Sequence, residues 1–300
     1  MDPVKNKIAE ILGADALKYA QNKKKGGDNG KKGTRYEDFY LAYRAAEVAV
    51  SYLGKPVPWP SIHGQVLGFV DDVVVRSGEK TEYSQLKNVK TIGWQTGDHP
   101  LETDFRYQFQ VATALGEPTP LTDLVVSREE LKTALGVAIP DSIIDHTAVK
   151  YFPYGDGSIN RLILENPELQ KVLAQLSKKL NPTLDELEGV LGVLVLTGFH
   201  YPDGGSVDEI IRATSKIHPN YLCSLNVADV KQFILPGFEN ALAGITGLAY
   251  AFQKGFFSWT AFGMSETFGT DCSTQQFADF QNQVVHRQPM TIDDFEGLLP

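Results

Sequence analysis

Three consecutive valines, Val73-Val74-Val75, run into Arg76-Ser77-Gly78-Glu79-Lys80 and out again through Thr81-Glu82-Tyr83-Ser84. β-Branched residues favour an extended chain, and a Ser-Gly step flanked by charge favours a tight reversal. An antiparallel hairpin is expected. Directly opposed residues of a hairpin share one face of the sheet. With the turn centred on Gly78 and Glu79, paired positions sum to 157, which sets Asp72 opposite Gln85. Lys87, two residues further on, belongs to the same face. An acid, an amide oxygen and an ammonium are thereby drawn onto one patch, a set suited to holding a hard cation beside a phosphate. A one-residue bulge would exchange Asp71 for Asp72; the expected register selects Asp72.

Other segments extend the pattern. Tyr36-Glu37-Asp38-Phe39-Tyr40 opens a helical stretch, Phe69-Val70-Asp71-Asp72-Val73-Val74 enters the first strand, and Tyr83-Ser84-Gln85-Leu86-Lys87-Asn88 forms the second. In this order the chain resembles the PD-(D/E)xK nuclease superfamily, in the variant with Gln before x-Lys. Mrr-like restriction endonucleases use that variant, as do endonuclease effectors of anti-phage systems such as CBASS and Lamassu. The resemblance spans roughly residues 33–130 and does not extend into 160–300. It implies a restriction-endonuclease-like core, a mixed sheet flanked by helices, and Mg²⁺-dependent cleavage of DNA, with Mn²⁺ able to substitute. Asp72 is the implied principal ligand, joined by the side-chain oxygen of Gln85, the backbone carbonyl of Leu86 and, directly or through water, Glu37. Lys87 is implied to orient or deprotonate the attacking water or to stabilise the phosphorane. Gln in place of Glu removes one negative charge, so weaker metal affinity is expected. From the residues alone Glu37 has a second reading, because Thr34-Arg35-Tyr36-Glu37 is also a capping box.

The charge distribution agrees with a phosphate-binding half. The net charge of −9 argues against a protein that simply coats nucleic acid. Yet residues 1–100 hold 15 Lys/Arg against 12 Asp/Glu, and residues 101–300 hold 13 against 25. The segment Asn22-Lys23-Lys24-Lys25-Gly26-Gly27-Asp28-Asn29-Gly30-Lys31-Lys32-Gly33 reads as a basic, Gly-rich loop. Lys23, Lys24, Lys25, Lys31 and Lys32 are candidate backbone contacts to nucleic acid, with a solvated linker as the plainer alternative. The segment fails as a P-loop, because Gly30-Lys31 is followed by Lys32 rather than Ser or Thr. Asn88 and Lys90 are further candidate phosphate contacts. Two cysteines, Cys223 and Cys272, with no Cys/His cluster argue against structural zinc. No signal peptide or membrane-spanning run is seen, and a cytoplasmic location is expected.

Periodicity predicts an amphipathic helix over 3–20 and a second over 34–53 with Phe39, Tyr43, Ala46, Val50 and Leu53 as its buried stripe. It predicts strands over 64–76 and 81–89, a helix over 101–115 and a strand over 121–126. Ser127 opens a further helix, and an extended stretch covers 147–154. Beyond it, helices are expected over 165–180, 183–197, 206–216, 226–253 and 273–286. Three parts follow: an N-terminal helix and basic loop (1–33), a nuclease-like α/β domain (34–160), and a mainly α-helical assembly domain (161–300). The aromatics of 244–263 are read as core or interface rather than ligand site. The leading expectation is a DNA endonuclease that self-associates or joins a partner subunit of a defence complex. A nuclease-fold module that binds nucleic acid or protein without cutting, and an RNase using the same site, remain open.

Overall fold

The hairpin forms in the expected register. Strands β2 (Val73–Arg76) and β3 (Thr81–Lys87) pair antiparallel, with Val73 opposite Ser84 and Arg76 opposite Thr81. The computed structural model describes residues 2–29, 34–154, 159–225 and 230–300, with the backbone alone for 25–29 and 34. The hairpin lies in the middle of a six-stranded mixed sheet ordered β5-β4-β3-β2-β1-β6. Its other members are β1 (Ser61–Gly64), β4 (Pro120–Val126), β5 (Thr147–Tyr151) and the short β6 (Gly205–Ser206). β3, β4 and β5 run parallel, joined by helices α4 (Leu101–Ala114) and α5 (Glu129–Val137). Parallel neighbours need such crossovers because a tight turn cannot return the chain in the same direction.

The two faces of the sheet are covered differently. Val73, Val75, Leu86 and Val125 pack with the Ala-rich helix α3 (Thr34–Tyr52) and with α6 (Ile159–Leu164), α7 (Pro167–Leu176), α8 (Leu184–Gly198) and α9 (Val207–Ile217). Val74, Tyr83, Leu124 and Val126 face α4 and α5. Helix α3 is enclosed between the sheet and α7–α9, so it buries Tyr36, Tyr40, Ala42, Ala45, Ala46, Val48 and Ala49. Of the expected stripe only Ala46 is fully buried; Phe39, Tyr43, Val50 and Leu53 are half-buried at its margin. Small alanines let a helix approach closely on several sides, which blurs the single apolar stripe of a surface helix.

Several expected elements differ. The N-terminal helix is two, α1 (Pro3–Leu12) and α2 (Ala14–Asn29), broken at Gly13 with φ +87°. α2 carries helix through Lys23-Lys24-Lys25, where a loop was expected. The long strand over 64–76 is interrupted by residues 65–72, which loop out between β1 and β2 while Gln65 N and Val66 N still donate to the carbonyls of Asp72 and Asp71. The helix expected over 226–253 is replaced among the described residues by a 3-10 turn (Val230–Phe233), the short α10 (Phe238–Ala243) and strand β7 (Ala249–Gln253). With β8 (Phe256–Ala261) and β9 (Met264–Thr267), β7 makes a separate antiparallel sheet. Helices α11 (Gln275–Arg287) and α12 (Ile292–Glu296) close its core, where Phe257 and Trp259 pack with Phe238, Phe277, Phe280 and Phe295. The aromatics of 244–263 are therefore chiefly core. Phe262, at a hairpin tip, is the exception at 78% exposure. No helix among the described residues is long and apolar enough to cross a membrane.

Candidate functional site

Alternation along β3 puts Tyr83, Gln85 and Lys87 on the α4 side of the sheet. The register brings Asp72, at the foot of β2, beside Gln85. The Gln85 amide nitrogen donates to Asp72 Oδ2, and the Leu86 backbone N–H donates to the same oxygen at 2.7 Å. The preceding turn is pinned from α4: Gln108 Oε1 accepts from the N–H groups of Phe69 (2.9 Å) and Val70 (3.3 Å). Glycine at position 68 leaves room for this approach: a Cβ there would lie 2.6 Å from Gln108 Oε1 and would displace the amide from Phe69 and Val70. Asp71 and Asp72 are thus presented by a stretch whose backbone is tied at both ends.

Glu37 reaches the same place from the first turn of α3. Its Oε2 accepts from Gln65 Nε2 at 2.8 Å, and that nitrogen also lies 3.4 Å from Asp72 Oδ1. The carboxyl of Glu37 is therefore turned to Gln65 and Asp72. The Thr34 half of the alternative capping box lies outside the described side chains. Burial, helped by the Asp72 charge and opposed by the Gln65 hydrogen bond, lifts the Glu37 pKa to about 7. Burial likewise lifts Asp71 to about 6, against the pull of Lys23 and with the push of Asp72.

These shifts have a sign that can be checked. A carboxyl whose pKa is higher folded than unfolded weakens the fold once its charge is forced on it, so stability falls as pH rises from about 4.5 to about 7. Glu37→Gln is expected to raise the thermal midpoint at pH 8 by about 2 °C, corresponding to about 1 kcal/mol after allowance for solvent screening of a partly exposed group. The gain should fade as pH falls toward 4.5. Melting curves across that range check it; a pH-independent difference would contradict the assignment.

The ammonium of Lys23 is the unexpected member of this cluster. From α2 it extends inward, with its side chain 19% exposed, and donates to the Phe69 carbonyl, to Gln85 Oε1 (2.7 Å) and to Asp104 Oδ2 (3.2 Å). Asp71 Oδ1 lies 3.3 Å from it without hydrogen-bond alignment and is a buried oxygen with no hydrogen-bond partner. Burial opposes the lysine charge, but Asp71, Asp104 and Asp72 outweigh it and raise the Lys23 pKa above the ordinary value. Tyr19, one turn earlier, donates to Asp104 Oδ2 at 3.0 Å and stacks on His99. The orientation of Gln85 is fixed by chemistry: an ammonium only donates and a carboxylate only accepts, so the amide oxygen faces Lys23 and the nitrogen faces Asp72.

No protein-family model, curated protein or solved structure matches this chain. The site therefore stands on its own geometry. Among the described residues no three His, Cys, Asp or Glu side chains form a ready-made metal-holding group. The oxygens gathered around Lys23 are of mixed origin, two carboxylates, a carboxamide and a backbone carbonyl. That all-oxygen set, with one buried carboxylate oxygen lacking a hydrogen bond, fits a hard divalent cation.

Lys87 closes β3, half-buried, its ammonium with no ion pair or hydrogen bond to any described residue, and its charge acts on Asp71. Asn88 and Lys90 are exposed just beyond it, Asn88 Oδ1 accepting from Ser127 Oγ at 2.8 Å. Lys24 is exposed on α2. The side chain of Lys25, and Lys31 and Lys32 altogether, lie outside the described residues. Lys23 does not share the exposed loop expected for it, because its charge is held by the acids of the sheet end. Gln65, Asp104, Gln108 and Tyr19 join the site without having been singled out in the sequence. Asp104 and Gln108 did carry a signal: they are polar residues four apart on a stripe otherwise formed by Leu101, Phe105, Val111 and Ala112.

Proposed function

We propose that this chain is a metal-dependent endonuclease that hydrolyses DNA phosphodiester bonds, on a restriction-endonuclease-like core. The observation that carries the reading is the gathering of Glu37, Asp71, Asp72 and Gln85 at one end of the sheet, with Lys87 two residues from Gln85 on the same face and unpaired. Asp71, Asp72, Gln85 and the Leu86 carbonyl would hold Mg²⁺ or Mn²⁺, with Glu37 at its margin. The chemistry supplied by the cation when bound is charge neutralisation on the phosphate and activation of water. Asp72 holds the Gln85 amide nitrogen, which turns the Gln85 oxygen toward the place the Lys23 ammonium occupies. Lys87 would orient the attacking water and balance charge on the phosphorane. Glu37, with a pKa near neutrality, is suited to taking up a proton at Oε1 or Oε2. Lys24, Asn88 and Lys90 offer exposed contacts to a nucleic-acid backbone. A cytoplasmic role as an effector or component of anti-phage defence belongs to this reading by family resemblance. So does a second copy or partner subunit, for which exposed Phe262 and Met264 offer an apolar contact.

A non-cleaving module is the second reading, favoured by one observation: the Lys23 ammonium stands on the Gln85 oxygen that a cation would need. Incubating the purified chain with supercoiled plasmid and with RNA, in Mg²⁺, Mn²⁺ or EDTA, decides among these. Nicked or linear DNA with Mg²⁺ and none with EDTA is expected. Degradation of RNA alone would make it an RNase, and intact nucleic acid throughout would leave the binding module.

A further inference from the structure

We infer that the Lys23 ammonium marks a divalent-cation position whose ligands are Asp71 Oδ1, Asp104 Oδ2, Gln85 Oε1 and the Phe69 carbonyl, and that a cation enters only when α2 withdraws that lysine. The inference rests on the metal-dependent reading above, shares Asp71 and Gln85 with it, and adds two ligands, Asp104 and the Phe69 carbonyl, and a built-in competitor. An ammonium has three N–H donors. Here all three are used, on Phe69 O, Gln85 Oε1 and Asp104 Oδ2, yet a fourth oxygen, Asp71 Oδ1, also faces it at 3.3 Å. That fourth oxygen is the one left buried without a hydrogen bond. A spherical cation has no such limit of three and takes six or more oxygens. The charges agree: two carboxylates face one positive charge, with Asp72 close behind, whereas a divalent cation would match the pair.

The lysine arrives on an element that can leave. α1 and α2 dock through a cluster of their own, separate from the main cores of the sheet, in which only Ile8, Ala20, Phe69 and Val111 are fully buried and the rest, Leu12, Leu17 and Tyr19 among them, are half-buried. Elements held by little apolar burial open at low free-energy cost. Tyr19 and Lys23 both bind Asp104, so a cation that captures Asp104 weakens two anchors of α2 at once. The site and its competitor are therefore in equilibrium, and each shifts the other by the same factor.

Calorimetric titration of Mn²⁺ into full-length wild type and Lys23→Met tests this. Met keeps the stem and removes the charge, and at least tenfold tighter Mn²⁺ binding is expected. Adding Asp104→Asn to Lys23→Met should abolish most of that gain. In wild type, hydrogen exchange of the α2 amides should speed up on addition of saturating Mn²⁺ and reverse with EDTA, a readout that does not depend on the variants folding. Equal Mn²⁺ affinity in wild type and Lys23→Met, a gain that survives Asp104→Asn, or α2 exchange unmoved by Mn²⁺ would each overturn the inference. Failure of the nuclease reading looks different: Lys23→Met would bind Mn²⁺ tightly and still leave DNA and RNA intact.

Discussion

Lys87→Ala is expected to slow DNA cleavage by about a hundredfold to ten-thousandfold, the usual worth of a positioned proton-transfer or charge-balancing group. The unfolding midpoint should move by no more than about 2 °C. The contrast follows from what the side chain touches. Lys87 sits at the last position of β3, half-buried, and its ammonium forms no ion pair or hydrogen bond with any described residue. Removing its ammonium orphans no buried group, so only stem packing is lost. Its charge nevertheless reaches Asp71 and helps hold that carboxyl ionised. A lysine that only held the fold would show the opposite pattern; removing Lys23, whose partners are buried acids, should cost stability as Lys87→Ala does not. Plasmid nicking under single-turnover conditions, beside a thermal melt, separates the two effects. Undiminished cleavage by Lys87→Ala would end the nuclease reading.

The hairpin was legible because its determinants are local. β-Branched residues, a polar turn and period-two alternation fix a register without help from the rest of the chain, and Asp72 meets Gln85 where that register requires. The crossover helices and buried strands around it were equally visible. Lys23 was hidden because three lysines followed by two glycines look solvated in any local window. Its burial is dictated by acids about 50 to 80 residues away, and such a pairing leaves no periodic trace. The second sheet was missed for another reason. Its turns are Lys254-Gly255 and Phe262-Gly263, each with positive φ at both residues, where Asn-Gly would have announced a hairpin. Between them, Phe257, Trp259 and Ala261 are buried and alternate with half-buried Ser258 and Thr260, a period-two signal that spans only three buried positions and is preceded by the off-pattern Phe256.

Asp72→Ala is expected to lower cleavage by several orders of magnitude and, unlike Lys87→Ala, to cost about 1–3 kcal/mol of folding stability. The carboxylate is 8% exposed and accepts both the Leu86 N–H and the Gln85 amide. Alanine leaves the Leu86 donor buried without a partner, and that desolvation penalty sets the cost. An opposing term exists, since removing the Asp72 charge relieves Glu37 and Asp71, whose pKa values it helps to raise. Glu37 is partly solvated and Asp71 is already countered by Lys23, so the hydrogen-bond loss outweighs the relief. Asp72→Asn is not a neutral alternative. With its oxygen in the place of Oδ2 it keeps the bonds from Leu86 and Gln85, but its NH₂ then stands where Oδ1 was, facing the donating Gln65 nitrogen, and turning Gln65 to compensate would break its bond to Glu37. Both variants should therefore lose activity with the carboxylate charge, Ala also loosening Gln85 and Asn showing the smaller stability loss. Chemical unfolding beside plasmid nicking checks the pair. Full activity in Asp72→Ala combined with loss in Asp71→Ala would transfer the essential carboxylate to Asp71, whose Oδ1 already faces the Lys23 cation.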